Sequence, residues 1–246
     1  MADKTHKVAI VTGASRGIGA AVAERLASDG FAVIINYSSD ARSAETLERK
    51  IKDNGGRALA AKADVSNPNA VRDMFDAAER AFGGVDVLIN NAGIMKLARI
   101  ADSDDALFDQ QIAINLKGSF IAMREAAKRL RDGGRIVNFS TSVVGTRLET
   151  YGVYAATKSA VETMTAILSK ELRGRNITVN AVAPGPVATE LFLSGKSPEL
   201  IDRLAKMNPM ERLGTPEDIA SAVAFLVGPD GGWINGQVLR ANGGMV

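Results

Sequence analysis

The chain has 246 residues, 46% of them hydrophobic and 24% charged, with a formal net charge of +2. This is ordinary globular composition, enough for one α/β domain with a sizeable core, although length alone also permits two. There is no cysteine and a single histidine, His6, so disulfides, thiolate metal sites, a His-ligated zinc and a Ser-His-Asp hydrolase are excluded by inventory. No acidic cluster at ligand spacing stands out, and no metal is expected. The charge is too small to imply nucleic acid or an acidic membrane, and no apolar run approaches the ~20 residues that span a bilayer. A cysteine-free chain fits a reducing compartment, and the cytoplasm is expected. The start, Met1 to Lys7, runs directly into an apolar strand, so no signal peptide is expected, and His6 is expected in a frayed terminus.

The first predicted strand is Val8–Thr12. A glycine-rich turn follows, Gly13-Ala-Ser-Arg-Gly17-Ile-Gly19, and then an amphipathic helix that ends at Ser28 before the cap Gly30. Gly13 allows the tight turn, Gly17 lets a phosphate approach the backbone, and Gly19 lets the helix pack on the strand. The free N–H groups at the helix start face an anion, so Gly13, Ser15, Arg16, Gly17, Ile18 and Gly19 form a candidate phosphate cradle.

Strands and helices then alternate. Strand Ala32–Tyr37 is followed by a helix from about Ser39 to Asp53, strand Ala58–Ala61, helix Ala70–Phe82 and strand Val85–Asn90. A long helical stretch, Asp104 to Leu130, leads to strand Arg135–Phe139. The helix from Tyr151 to Leu172 precedes strand Thr178–Val182, and a loop with short helices fills Pro184 to Leu213. Thr215 caps a helix with Pro216 at its first position, running to Leu226, and the last strand is near Val238–Arg240. Apolar strands alternating with helices predict a doubly wound parallel sheet with ligand beyond the carboxyl ends of its strands.

In a site for NAD, an acid about 20 residues beyond the glycine turn binds the ribose 2′-hydroxyl. Here the second strand ends Ile35-Asn36-Tyr37-Ser38-Ser39, and Asp40 falls at the start of the next helix. Arg16 with the hydroxyls of Ser38 and Ser39 suits the roughly −1.5 to −2 charge of a 2′-phosphate, so NADP is the expected cofactor. Farther on, Tyr154 and Lys158 lie four residues apart on one helical face. A phenol titrating near ~10 is a poor acid or base at neutral pH, and a neighbouring ammonium pulls it toward the working range.

These segments, together with Asp64-Val65, Asn90-Asn91-Ala92-Gly93, Asn115, Ser140-Thr141-Ser142, Pro184-Gly185, and Gly236-Gln237 with Gly243-Gly244, make the chain similar to the short-chain dehydrogenase/reductases over nearly its whole length. The resemblance implies a single Rossmann domain over residues 1–246, with a substrate lid at about 188–213. It also implies hydride transfer between NADP(H) and a carbonyl or alcohol. Tyr154 would give or take the proton, and Lys158 would lower its pKa and bind the nicotinamide ribose. Asn115 would anchor a water that links Lys158 to solvent, a buried structural hydrogen bond being the other reading of that residue.

A hydroxyl before the tyrosine would polarise the carbonyl. The family spacing of thirteen residues lands on Thr141, whereas the Val143-Val144-Gly145 context points to Ser142; Ser142 is preferred and Thr141 stays open. By the same resemblance Asp64 and Val65 flank the adenine, Asp64 being equally readable as a helix-start residue. Asn90 stabilises the sheet, Asn91 contacts the adenosine ribose, and Ala92 and Gly93 admit the cofactor. After Pro184-Gly185, Val187 and Thr189 meet the carboxamide and phosphates. The expected activity is an NADPH-dependent aldehyde or ketone reductase. Alternatives are a 3-oxoacyl-carrier-protein reductase, with Arg129, Arg131 and Arg173 facing an acidic carrier, and a non-catalytic dinucleotide sensor. Partners are a small carbonyl substrate and further copies of the chain in a homotetramer.

Overall fold

The computed structural model describes residues 6–246; the chain start read above for a signal peptide, Met1 to Thr5, lies outside them. Seven apolar segments pair in parallel: β1 (Val8–Val11), β2 (Ala32–Tyr37), β3 (Arg57–Lys62), β4 (Val85–Asn90), β5 (Leu130–Phe139), β6 (Thr178–Pro184) and β7 (Val238–Ala241). Their order in the sheet is β3-β2-β1-β4-β5-β6-β7. Side chains alternate between two cores, as the period of two requires. Val33, Ile35, Val87 and Ile89 pack on one face, against Leu26, Leu47 and Val223. Ile10, Ile34 and Leu88 pack on the other, against Phe75, Met74 and Ile121.

The helices supplying the first face are α1 (Gly17–Ser28), α2 (Ala41–Asp53) and α10 (Pro216–Val227). The second face is covered by α3 (Pro68–Phe82), α5 (Ser119–Arg129) and α7 (Gly152–Glu171). Short helices complete the order: α4 (Asp105–Gln111), α6 (Val143–Thr146), α8 (Glu190–Leu193) and α9 (Pro198–Ala205). Crossovers from β1 run to β2 on one side, while β4 lies on the other. The crevice at this reversal of strand order is where a doubly wound sheet takes its ligand.

The predicted boundaries shift in instructive places. Asp40 caps α2 by accepting from Ser43 N at 3.1 Å, and Asn67 caps α3 with Pro68 at its first position. The stretch expected as one helix from Asp104 to Leu130 is interrupted: Ile112–Gly118 takes a π-helical path. Leu130 is already extended and pairs with Val85, so β5 starts earlier than its apolar run suggests. His6 Nδ1 lies 3.2 Å from the Gly30 carbonyl. Among the described residues no helix is long and apolar enough to cross a membrane.

Candidate active site

Two neighbouring clefts open at the carboxyl edge of the sheet and share Ile18, Asn91, Gly93, Ile94, Thr189 and Leu191. The first holds the glycine turn. Gly13 adopts φ +61°, and a Cβ there would sit 2.9 Å from Ala92 Cα. A Cβ on Gly19 would meet the Gly13 carbonyl at 2.4 Å, so helix and strand need glycine at this close approach. The turn is held from outside by three polar residues. Asn36 Oδ1 accepts from Gly13 N at 3.1 Å. Asn91 donates to the carbonyls of Thr12 (2.9 Å) and Gly13 (3.0 Å). Thr12 Oγ1 accepts from the backbone of Asn91 and Ala92, each at 3.0 Å. The Asn91 amide expected at the ribose thus supports the phosphate turn, and buried Asn36 does so unannounced by any motif.

Arg16 occupies the N-cap of α1 in extended conformation and gives the helix no side-chain cap. The first-turn N–H groups therefore open into the cleft as unsatisfied donors, and these residues fit a dinucleotide pyrophosphate. Tyr37, Ser38 and Ser39 line the far end of the same cleft with Arg16. Asp40 also lies there, but its carboxylate is committed to α2; hydrogen bonds from Ser43 hold its pKa below the usual value. Arg16 pairs with Glu190 of α8 at 3.0 Å, both side chains largely exposed. Asp64 accepts from Ser66 N (2.9 Å) and Ser66 Oγ (2.8 Å) at the cleft edge, and the helix-start role falls to Asn67. Val65 is buried beneath Gly118 of the π segment, where a Cβ would sit 2.7 Å from Val65 Cγ2.

The second cleft holds the titratable groups. Lys158 is buried, donates to the Phe139 carbonyl at 2.9 Å, and lies 5.9 Å from the centroid of the Tyr154 ring. Burial pushes its pKa down to about 8. Burial pushes the Tyr154 phenol up to about 12, opposed by the neighbouring Thr141 side chain. In both groups desolvation by burial is the largest effect. Gly93 lies close to both polar tips: a Cβ there would stand 3.2 Å from Asn115 Oδ1 and 3.5 Å from Lys158 Nζ.

Asn115 is fully buried in the π segment. Its Oδ1 accepts from Ile94 N at 2.8 Å, and its Nδ2 donates to Ile94 O at 2.9 Å and Thr157 Oγ1 at 3.5 Å. The side chain fastens the segment after β4 to the turn of α7 that carries Lys158. Insertion of a residue into the helical ladder is how such a side chain is aimed without breaking the helix.

The three hydroxyls after β5 part company. Ser140 donates to Glu162 at 2.5 Å, and Ser142 donates to the Ala183 carbonyl at 3.1 Å while accepting from Asn242 Nδ2 at 2.9 Å. Thr141 Oγ1 accepts from Val143 N at 3.3 Å and lines the cleft with Tyr154. The loop is anchored to β6, where Ser140 N donates to Val182 O and Ser142 N to Pro184 O, and both Thr141 and the Ser142 preferred by sequence context line the cleft with Tyr154. Pro184 and Gly185 form the floor, and a Cβ on Gly185 would press on Asn242 at 3.0 Å. Val187 is buried, and Thr189 caps α8 by accepting from Phe192 N at 3.3 Å. The walls are apolar: Met95, Leu148, Leu191, Phe192, Leu204 and Met245.

An anion cradle on a doubly wound sheet, joined to a cleft with a phenol, an ammonium and a hydroxyl, defines a dinucleotide-dependent oxidoreductase site. A family model described as enoyl-(acyl carrier protein) reductase matches residues 13–246. A "short-chain type dehydrogenase/reductase" of Picea abies is 48% identical over 98% of this chain and 92% of its own. An "NADPH-dependent aldehyde reductase-like protein, chloroplastic" of Arabidopsis thaliana is 46% identical over 98% and 94%. A short-chain dehydrogenase of Burkholderia cenocepacia, solved in complex with NADP, superposes with TM-score 0.92 at 38% identity, covering 99% of both chains. The chain belongs to the short-chain dehydrogenase/reductase family.

Proposed function

We propose that the protein is an NADPH-dependent reductase of aldehydes or ketones. The observation that carries this reading is the convergence of Tyr154, Lys158 and Thr141 on an apolar cleft that opens directly into the dinucleotide cleft. The cofactor would lie with its pyrophosphate at the first turn of α1 and its 2′-phosphate toward Arg16, Ser38 and Ser39; when bound, its nicotinamide supplies the hydride. Tyr154 is protonated at neutral pH, so it gives its proton to the carbonyl oxygen during reduction. Thr141 holds that oxygen, as its position beside the phenol suits, and Lys158 binds the ribose hydroxyls and favours the phenolate left behind. Asn115 positions Lys158 through α7. The cofactor and substrate class agree with the name of the Arabidopsis relative.

The carrier-protein variant finds less support. Arg129 is locked to Glu79 and Asp76, each at 2.6 Å, and Arg131 to Asp86 at 3.2 Å. Arg129 and Arg131, neutralised within the chain, offer little to an acidic carrier, which leaves exposed Arg173 alone of the three. Residues 188–213 act as a lid in this reading, bringing Leu191, Phe192 and Leu204 over the substrate. The assembly is a homotetramer, supported by exposed Phe120 and Ile167 on helix faces and by Trp233, which is 98% exposed ahead of β7. The cytoplasm is the proposed compartment on the strength of the cysteine-free composition. The test is NADPH consumption across a panel of aldehydes, diketones, 3-oxoacyl thioesters and sugars. Turnover confined to the thioesters would replace this reading with the carrier-protein one, and no turnover at all would sink it.

A further inference from the structure

The polar groups around the substrate cleft are nearly all engaged. Ser140 is taken by Glu162, Ser142 by Ala183 and Asn242, Thr141 by the Val143 N–H, and Lys158 by Phe139. Thr189 caps α8, and the Asn91 amide holds the glycine turn. The two phenols are different. Tyr154 and Tyr151 line the same cleft, yet neither hydroxyl makes a hydrogen bond to any of the described residues, and only that of Tyr154 is used by the proposed reaction. A partly buried phenol with nothing to bond in the protein is placed to meet a ligand.

The backbone supports the same conclusion. Tyr151 is the N-cap of α7, three residues before Tyr154, so the two rings meet edge to face with centroids 6.4 Å apart. Just ahead of it, Thr150 adopts φ +71° and Arg147 φ +54°, left-handed conformations that a β-branched residue such as Thr150 rarely accepts. The Thr150 carbonyl accepts from Ala98 N at 3.1 Å, which fixes the loop against the segment after β4. The Tyr151 ring that follows this loop lines the cleft together with the apolar side chains.

We propose that Tyr151 is a second substrate-binding residue, whose hydroxyl holds an oxygen function that the substrate carries in addition to its reacting carbonyl. The preferred substrates are then uncharged, mostly apolar carbonyl compounds that carry a second oxygen, such as oxygenated aryl aldehydes or ketones. Burial raises the Tyr151 pKa, so the phenol stays a hydrogen-bond donor throughout the physiological range. The inference rests on the reductase reading, and the experiment separates the two.

Benzaldehydes bearing a methoxy group at the ortho, meta or para position, each paired with the ethyl isostere, are assayed with NADPH. In the wild type, kcat/KM favours methoxy over ethyl at one position at least. In Tyr151→Phe that ratio falls by about three- to tenfold, the effect of one neutral hydrogen bond, while bound NADPH and thermal stability report an intact fold. Methoxy/ethyl ratios that are identical in wild type and variant at all three positions overturn the role of Tyr151. A wild type inactive on all six aldehydes overturns the reductase reading and this inference with it.

Discussion

The Ser142 hydroxyl is held between β6 and the residue that follows β7: it donates to the Ala183 carbonyl at 3.1 Å and accepts from Asn242 Nδ2 at 2.9 Å. Asn242 Oδ1 in turn accepts from Gly244 N (3.0 Å) and Met245 N (3.2 Å). One asparagine therefore fixes both the loop that carries Thr141 and the tail that brings Met245 to the cleft. Thr141→Ala is expected to lower kcat on the order of 10²-fold, like the loss of an oxyanion donor, and Thr141→Ser to keep most activity. Ser142→Ala removes a buried structural bond, costing about 1–3 kcal/mol of stability, with a smaller loss of turnover. Steady-state kinetics and denaturant titration on the three variants decide the matter. A larger kinetic loss in Ser142→Ala than in Thr141→Ala would return the polarising role to Ser142.

Tyr154→Phe keeps the ring and removes the proton. Turnover should drop by at least ~10²-fold with NADPH affinity nearly unchanged. Because burial holds the phenol up at about 12, reduction needs no ionisation at Tyr154 near neutrality, whereas alcohol oxidation needs the phenolate. Oxidative kcat/KM should therefore climb toward alkaline pH, by up to about tenfold per unit while the phenol is mostly protonated. A flat oxidative profile, or near-normal activity of the variant, would exclude this residue as the proton carrier.

Lys158 makes a prediction about stability. Its pKa falls from 10.5 to about 8 on burial. The folded chain thus binds fewer protons than the unfolded one between these values, and stability rises with pH across that window. Below pH 8 the cost of burying the charge is fully present, on the order of 3 kcal/mol. Lys158→Met lacks this dependence. Wild type should gain on the variant by a comparable amount between pH 7 and 10.5 in urea denaturation. Parallel curves for the two proteins would mean that the ammonium is better solvated than its surroundings suggest.

Much of this architecture is legible in the sequence because it depends on local pattern. The glycine turn, the apolar strands and the Tyr154–Lys158 spacing each follow from one short segment and one period. What escapes notice depends on distant partners. Asn36 reads as a residue of an apolar strand, and only the folded sheet brings it to Gly13 and to the carbonyls of Ala61 and Ala63. Ser142 and Asn242 are 100 residues apart, so no local context reveals that the favoured serine is already bonded. The π segment around Asn115 is hidden for a related reason, since one inserted residue leaves the apolar period of the long helix almost unchanged.

Assembly is tested directly in solution. The homotetramer reading covers Phe120 and Ile167, each about half exposed, and Trp233 at 98%. Light scattering at micromolar concentration should give four times the chain mass of 25.9 kDa. Ile167→Glu places a charge in a helix face meant for burial and should shift the population to smaller species. A wild type that remains monomeric would leave the three apolar side chains without a role in assembly.

Cofactor choice turns on Arg16 and Glu190, paired at 3.0 Å across the mouth of the dinucleotide cleft. An exposed pair of this kind is worth roughly 0–1 kcal/mol, whereas a charge-assisted bond to phosphate is worth about 1.5–3 kcal/mol. A 2′-phosphate should therefore win Arg16 from Glu190. Arg16→Ala should weaken NADPH by roughly ten- to a hundredfold and scarcely affect NADH. Glu190→Gln removes the competitor and should tighten NADPH slightly, by about fivefold at most. Tyr37→Asp should act in the direction of Arg16→Ala, repelling the 2′-phosphate and offering ribose hydroxyls an acceptor. Fluorescence titration with both cofactors reads all three. If Arg16→Ala weakens NADH as much as NADPH, the arginine serves the pyrophosphate turn instead, and a strand end without an acid needs another cause.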